Sequence, residues 1–395
     1  MSMHSQVLSL IRSHVSISQS EIRIETGLSA SAVSNSVKRA ISLGLVKEVG
    51  QLQEDMGRPR TLLSLDPDYG YAVGVQLNST HNRIVLANLK GEVVLSEELQ
   101  LSSTKPDAVA EAIAEFVGRA SSRNIVGIGI GLSGIVDAEA GICLYSTTLL
   151  GWRNVPIARL VTNQTGLPTA VENDANALAL AELWFGDIKP RDSFVMVTLG
   201  SGIGAGIIID QRTYRGRNGL AGEIGHTRVT SEPGYPCHCG KNGCLEAVVS
   251  TESLTRRVSG ATGQPVSADQ LRGAVKAGGA ACEDIIQHAG TLLGTTLATL
   301  AMTFDPDAVY LAFDPCLDLP HLGSAIQEGF EANLLPVSHT RTELRTLKDS
   351  GTMWARGASS IAIERFFDTT ALELASLTLS PWRAAEPGPN TVVKS

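Results

Sequence analysis

Three of the chain's six cysteines, Cys237, Cys239 and Cys244, lie within eight residues of one another. They follow Gly222-Glu223-Ile224-Gly225-His226 and belong to the run Cys237-His238-Cys239-Gly240-Lys241-Asn242-Gly243-Cys244-Leu245-Glu246. Thiolates this close, on a loop that glycines allow to fold back, suit a four-coordinate zinc completed by one imidazole, with His226 and His238 the two candidates. Four protein ligands leave no position for water, so such an ion is structural. Glu223 and Glu246 bracket the cluster, and carboxylates beside it suit a polyhydroxylated ligand.

The redox setting agrees. Residues 1–15 lack the apolar core of a signal peptide, and no apolar run approaches bilayer length, so a cytoplasmic protein with no membrane partner is expected. There, clustered cysteines favour metal over disulfide, and the scattered Cys143, Cys282 and Cys316 read as small buried apolar residues. A length of 395 residues predicts two or three domains. The formal net charge of −8 excludes a protein that coats nucleic acid generally, but residues 1–65 hold seven Lys/Arg against five Asp/Glu. A weakly basic head on an acidic body suits local DNA contact by the head alone.

Residues 1–68 read as that head. Val7, Leu10, Ile11, His14 and Val15 recur at helical spacing. A short helix over 20–26 follows, then Gly27 for a left-handed turn and Ser29 as N-cap of a helix over about 30–43. Val33, Val37 and Ile41 form its buried stripe, and Ser31, Ser34, Asn35, Lys38 and Arg39 its polar face. Helix, glycine turn and polar-faced helix predict a helix-turn-helix entering a major groove of an operator duplex. Residues 45–65 predict a two-stranded wing with Arg58 and Arg60 near its tip, for a minor groove or phosphates.

The remainder predicts α/β architecture. Strands are expected over 71–77, 83–89 and 92–98, then a helix over about 107–121 and a buried strand over 125–132. Near residue 193 the pattern restarts, with strands over 194–199 and 206–210 separated by a glycine-rich turn. Two lobes that each begin with a strand meander suggest a duplicated, ribonuclease-H-like fold, with lobes at 69–190 and 191–351. A long apolar helix over 283–304 and a closing helix over about 352–368 complete the plan, the latter packing on the first lobe. Residues 380–395 read as a disordered tail.

Val171-Glu172-Asn173-Asp174-Ala175-Asn176-Ala177, Leu199-Gly200-Ser201-Gly202-Ile203-Gly204-Ala205-Gly206, the Gly-Glu-Ile-Gly-His run and the cysteine segment occur in this order. Together they resemble the ROK family, which unites bacterial sugar kinases with sugar-responsive repressors. The resemblance covers about residues 5–365, and the added head is similar to that of the family's repressors. It implies zinc held by His226, Cys237, Cys239 and Cys244; adjacent ligands at 237 and 238 would strain a tetrahedron. It implies a sugar or sugar phosphate held by Asn173, Asp174, Glu223, His226 and Glu246, with Gly134 lining the pocket. It also implies a homodimer or homotetramer. Asn173 and Asp174 have a plainer use as helix N-caps, and Glu172 reads as a structural neighbour.

The family's kinases carry Asp-x-Gly-Gly-Thr after the first strand, where backbone amides cradle ATP phosphates. Here Gln76 stands at the aspartate position and Leu77-Asn78 replace the glycines. The later paired-glycine motif reads Leu311-Ala312-Phe313-Asp314. The expectation is a regulator and not an enzyme. In a kinase, Asp174 would be the general base.

Overall fold

The computed structural model describes residues 3–52, 59–78, 82–146, 148–149, 151–186, 193–231, 234–337, 342–348 and 351–375. Arg58 and the expected tail at 380–395 lie outside the described residues.

Two five-stranded sheets repeat one plan. In the first, Val93–Glu98, Arg83–Asn88 and Tyr71–Leu77 form an antiparallel meander, and Ile125–Leu132 and Thr169–Asn173 then join in parallel. In the second, Arg212–Thr213, Ile203–Ile209 and Phe194–Leu199 are antiparallel, and Ala308–Phe313 and Glu343–Lys348 join in parallel. Strands buried on both faces carry continuous apolar runs such as Phe194–Leu199, as parallel pairing under helices requires. The helices expected over 107–121 and 283–304 are Pro106–Arg119 and Gly279–Phe304.

The helix Asp174–Phe185 lies between the sheets. Its Ala175–Ala181 segment is buried all round, which marks an internal helix. Leu178 and Ala179 pack with Phe194, Met196 and Ile208 of the second sheet, while Ala177 and Leu180 pack with Ala170 of the first. This contact corrects the expected extent of the glycine-rich turn. Only residues 200–202 turn; Ile203–Ile209 is already strand, paired along Phe194–Leu199. The glycine at 206 serves close approach, because a Cβ there would stand 2.4 Å from the carbonyl oxygen of Ala175.

The closing helix, Met353–Ala375, is longer than expected and lies on the first sheet. It comes so near that a Cβ on Gly129 or Gly74 would strike the carbonyl oxygen of Ala358 or Ala355. Among the described residues no helix is long and apolar enough to cross a membrane.

At the N-terminus, helices Met3–Ser13, Gln19–Thr26 and Ala30–Ser42 pack beside a sheet of Ile17–Ser18, Arg60–Leu65 and Val46–Leu52. A capping box opens the second helix, with Glu21 N donating to Ser18 Oγ (3.3 Å) and Ser18 N to Glu21 Oε2 (2.8 Å). Gly27 takes the left-handed turn at φ +67°, and Ser29 Oγ caps the third helix through Ala32 N. Two expectations fail in detail. The first helix stops at Ser13, where Ser13 Oγ and His14 Nδ1 both meet the Leu10 carbonyl, and Val15 is 87% exposed. On the third helix Ala40, not Ile41, completes the fully buried stripe. The core of this segment is continuous with the body: Val7, Ile11 and Leu65 pack in one cluster with Ala72, Ile363 and Phe367.

Candidate functional site

A cleft of about 500 Å³ opens where the parallel strands of both sheets end, lined by Gly134, Asn173 and Asp174 on one side and Gly200, Glu223 and Glu246 on the other. Gly134 sits at φ +149°, where a Cβ would meet the Tyr145 carbonyl oxygen at 2.5 Å. Asn173 both caps its helix and reaches the cleft wall. Its Oδ1 accepts from Ala175 N (3.0 Å) and Asn176 N (3.3 Å), while its Nδ2 donates to the Gly134 carbonyl (3.1 Å). The N-cap use of Asn173 is therefore present, and it orients the residue against Gly134. Asp174, the first residue of the helix, takes Ala175 N on Oδ1 at 2.9 Å. Burial raises its pKa to about 6, with the field of Asp314 adding to the effect.

Gly222 and Gly225 press the Gly-Glu-Ile-Gly-His run onto Ile203–Ile209. Cβ atoms there would lie 1.8 Å from Ala205 O and 2.3 Å from Ile203 O, and Ala205 N donates to Gly222 O at 2.8 Å. That contact aims Glu223 and His226 into the cleft. Burial raises the Glu223 carboxyl, and the neighbouring Asp174 and Glu246 raise it further. Glu246 is buried on the short helix Leu245–Val249; its Oε2 accepts from Ile203 N at 3.1 Å and its Oε1 lies 3.0 Å from His238 Nδ1.

His226 faces two ways. Nδ1 lies 3.5 Å from Cys237 Sγ, whereas Nε2 lies 4.0 Å from Glu223 Oε2. Burial lowers its pKa, which keeps the imidazole neutral and able to ligate. Cys239 Sγ and Cys244 Sγ are 3.7 Å apart, and the donor atoms of His226, Cys237, Cys239 and Cys244 all lie within 4.8 Å of one another. A tetrahedral zinc with its usual bond lengths sets edges of about 3.8 Å between sulfurs and about 3.6 Å between sulfur and nitrogen. The donor set fits that ion. His238 also forms a compact group with His226, Cys237 and Glu246, but its Nδ1 is engaged with Glu246.

Several groups in or beside the cleft were not anticipated. His238 lines it, as do Glu252, Asp314 and Trp354. Glu172 is only 3% exposed and stays a structural neighbour: its Oε1 accepts from Asn173 N (2.9 Å) and Asn176 Nδ2 (3.1 Å), and Arg215 Nε donates to its Oε2 (2.6 Å). Arg215 carried no sequence signal, because the loop that supplies it belongs to the other lobe. At the N-terminal segment Ser31, Asn35 and Lys38 are exposed, Ser34 and Arg39 half-exposed, and Arg60 half-exposed at the start of its strand.

Residues 72–365 match the ROK family. The chain belongs to the ROK family. It is 32% identical over 325 residues to a xylose repressor of Caldicellulosiruptor bescii, covering 77% of this chain and 81% of that one. A solved ROK family transcriptional regulator, a homologue of the E. coli MLC protein, superposes with a TM-score of 0.79 at 25% identity, over 94% of this chain and 99% of that one. A ROK family glucokinase of Streptomyces griseus, solved with glucose and AMPPNP, superposes with a TM-score of 0.63 at 27% identity, over 75% of this chain and 100% of its own.

Proposed function

We propose that this ROK protein is a sugar-responsive transcriptional repressor of carbohydrate genes. Residues 1–68 are a winged helix-turn-helix that binds an operator duplex through Ser31, Ser34, Asn35, Lys38, Arg39, Arg58 and Arg60. Lobes at 69–190 and 191–351 hold the sugar between Gly134, Asn173, Asp174, Glu223, His226 and Glu246. Zinc on His226, Cys237, Cys239 and Cys244 fixes the imidazole that touches the sugar; its chemistry is structural. Dimeric heads meet two half-sites, and lobe closure changes their spacing.

One observation carries the choice of sensor over kinase: the sugar half of the cleft converges while two backbone donors of the phosphate half are already used. Asn78 N, in the position of the kinase phosphate loop, donates to Asn82 Oδ1 at 3.1 Å. Ile203 N, where the second glycine turn enters its strand, donates to Glu246. A Cβ on Gly200 would meet the Asp314 carboxylate at 2.5 Å, so that carboxylate stands where phosphates would approach. The cleft also favours an uncharged sugar over a sugar phosphate. Asp174, Glu223, Glu246, Glu252 and Asp314 line it, with no lysine or arginine among the described lining residues, and a phosphate dianion needs charged donors.

The second reading is an ATP-dependent sugar kinase with an added head, favoured by Asp174 in the base position with a pKa near 6. Thermal shift with neutral sugars and their 6-phosphates, each with and without magnesium-ATP, separates the two. A shift from a neutral sugar that ATP leaves unchanged supports the repressor. A further shift from ATP with ADP release establishes the kinase. Glu223→Ala keeps DNA binding and loses the sugar response; a retained response overturns this assignment of the sensor.

A further inference from the structure

A half-buried arginine joins the N-terminal segment to the body. Arg12, on the helix Met3–Ser13, lays its guanidinium on the indole of Trp184, with Cζ 2.9 Å from the ring centroid and 5.6 Å from that of Phe367. Its Nε is buried and meets no hydrogen-bond partner among the described residues. Burial lowers its pKa to about 9, against the raising fields of Glu364 and Asp368. Methionine would join the same surfaces without desolvating a cation, so packing alone does not account for arginine here.

Trp184 and Glu364 both lead back to the cleft. Trp184 stands at the far end of the helix whose first residue is Asp174, and that helix packs on both sheets. Its last turn is held by Arg356, whose Nη2 donates to the Phe185 carbonyl at 3.3 Å. Glu364 feels Arg215 as well as Arg12. Arg215 comes from the chain between the strand Arg212–Thr213 and Glu223, and its Nε bonds Glu172, which holds the backbone amide of Asn173. The contact between Arg215 and Glu172 therefore spans the two lobes next to the cleft-lining Asn173, while Glu364 feels the charges of both Arg215 and Arg12.

We propose that Arg12, Trp184 and Arg215 couple the state of the cleft to the N-terminal segment. Lobe closure shifts Arg215 against Glu172 and Glu364 and moves the helix under Trp184. Arg12 then loses its seat on the indole together with the compensating charge of Glu364, and the first helix changes its docking on Phe367. The two docked states are what the sugar biases. The proposal rests on reading the cleft as a sugar sensor.

The test uses the full chain with D-xylose, D-glucose and N-acetyl-D-glucosamine, measuring melting temperature, sugar affinity by calorimetry and hydrogen exchange of residues 3–13. In the wild type, a bound sugar changes exchange in that helix by tenfold or more. Arg12→Met stays folded and binds the sugar within threefold of wild type, but its helix responds less than twofold. Arg12→Lys, which keeps the cation, regains part of the response. A purely packing role predicts a lower melting temperature for Arg12→Met with the response intact, and that result overturns the proposal. So does a wild type that binds sugar without any change at 3–13. If no sugar binds the wild type, the sensor reading itself falls, and the coupling with it.

Discussion

Asp174→Asn separates stability from sensing at one atom. In the folded chain Asp174 ionises near pH 6 where a free aspartate does so at 3.8, because its carboxylate is buried and faces Asp314. The folded state therefore holds a proton that the unfolded state releases between those values, and stability falls as pH rises through the window. Above pH 6 the charge costs up to about 3 kcal/mol. Asparagine keeps the Oδ1 acceptor for Ala175 N and removes the charge. At pH 7.5 and without sugar the variant should melt about 4 °C above wild type, given the entropy of unfolding of a chain this long. That advantage should shrink as pH falls from 6 and vanish below 4, where both states of the wild type are protonated. The same variant should bind sugar about 10- to 150-fold more weakly, the worth of a hydrogen bond to a charged acceptor. Scanning calorimetry across about pH 3.5–8 reads the first effect and titration calorimetry the second. An advantage independent of pH, or none at pH 7.5, refutes the argument.

Cys244→Ser should remove the metal: elemental analysis should give one zinc per wild-type chain and almost none in the variant, with a lower melting temperature and loss of the sugar response. Arg215→Ala leaves the buried Glu172 carboxylate without its ion-pair partner and, with Arg215 itself partly exposed, should destabilise by about 1–3 kcal/mol in urea unfolding, much of it recovered in Arg215→Met with Glu172→Gln. Lys38→Ala should weaken DNA binding uniformly across sequences and flatten the plot of log affinity against log salt by about one.

The body announced itself in motifs because its site is local. Two glycines spaced around Glu223, three thiols on one loop and a cap that begins a helix each work within a few residues, so short motifs carry them and the family resemblance can read them. The duplicated sheets were legible for a similar reason, since each meander is a run of adjacent strands. The coupling groups were not. Arg12 and Trp184 belong to no motif, and only the docking of one segment on another reveals that they meet. Likewise Gly74 and Gly129 are two glycines in two strands until the closing helix is laid across them. The end of the first helix was missed because side-chain contacts to the Leu10 carbonyl, rather than a glycine or proline, mark it.

Glu246 explains how one cleft keeps half of its chemistry. Its Oε2 bonds the amide of Ile203 and its Oε1 faces His238, so one carboxylate ties the glycine loop to the sugar half. Phosphates arriving at that loop would have to approach this carboxylate and Asp314 together, while the amide of Asn78 is held by Asn82. A sugar meets the opposite situation, because its hydroxyls donate to the same carboxylates that repel phosphate. On the repressor reading Asp174, raised to about 6 by its burial, suits both tasks. On that reading, what decides between them is not the base but the cradle, two of whose backbone amides are held by Asn82 and Glu246.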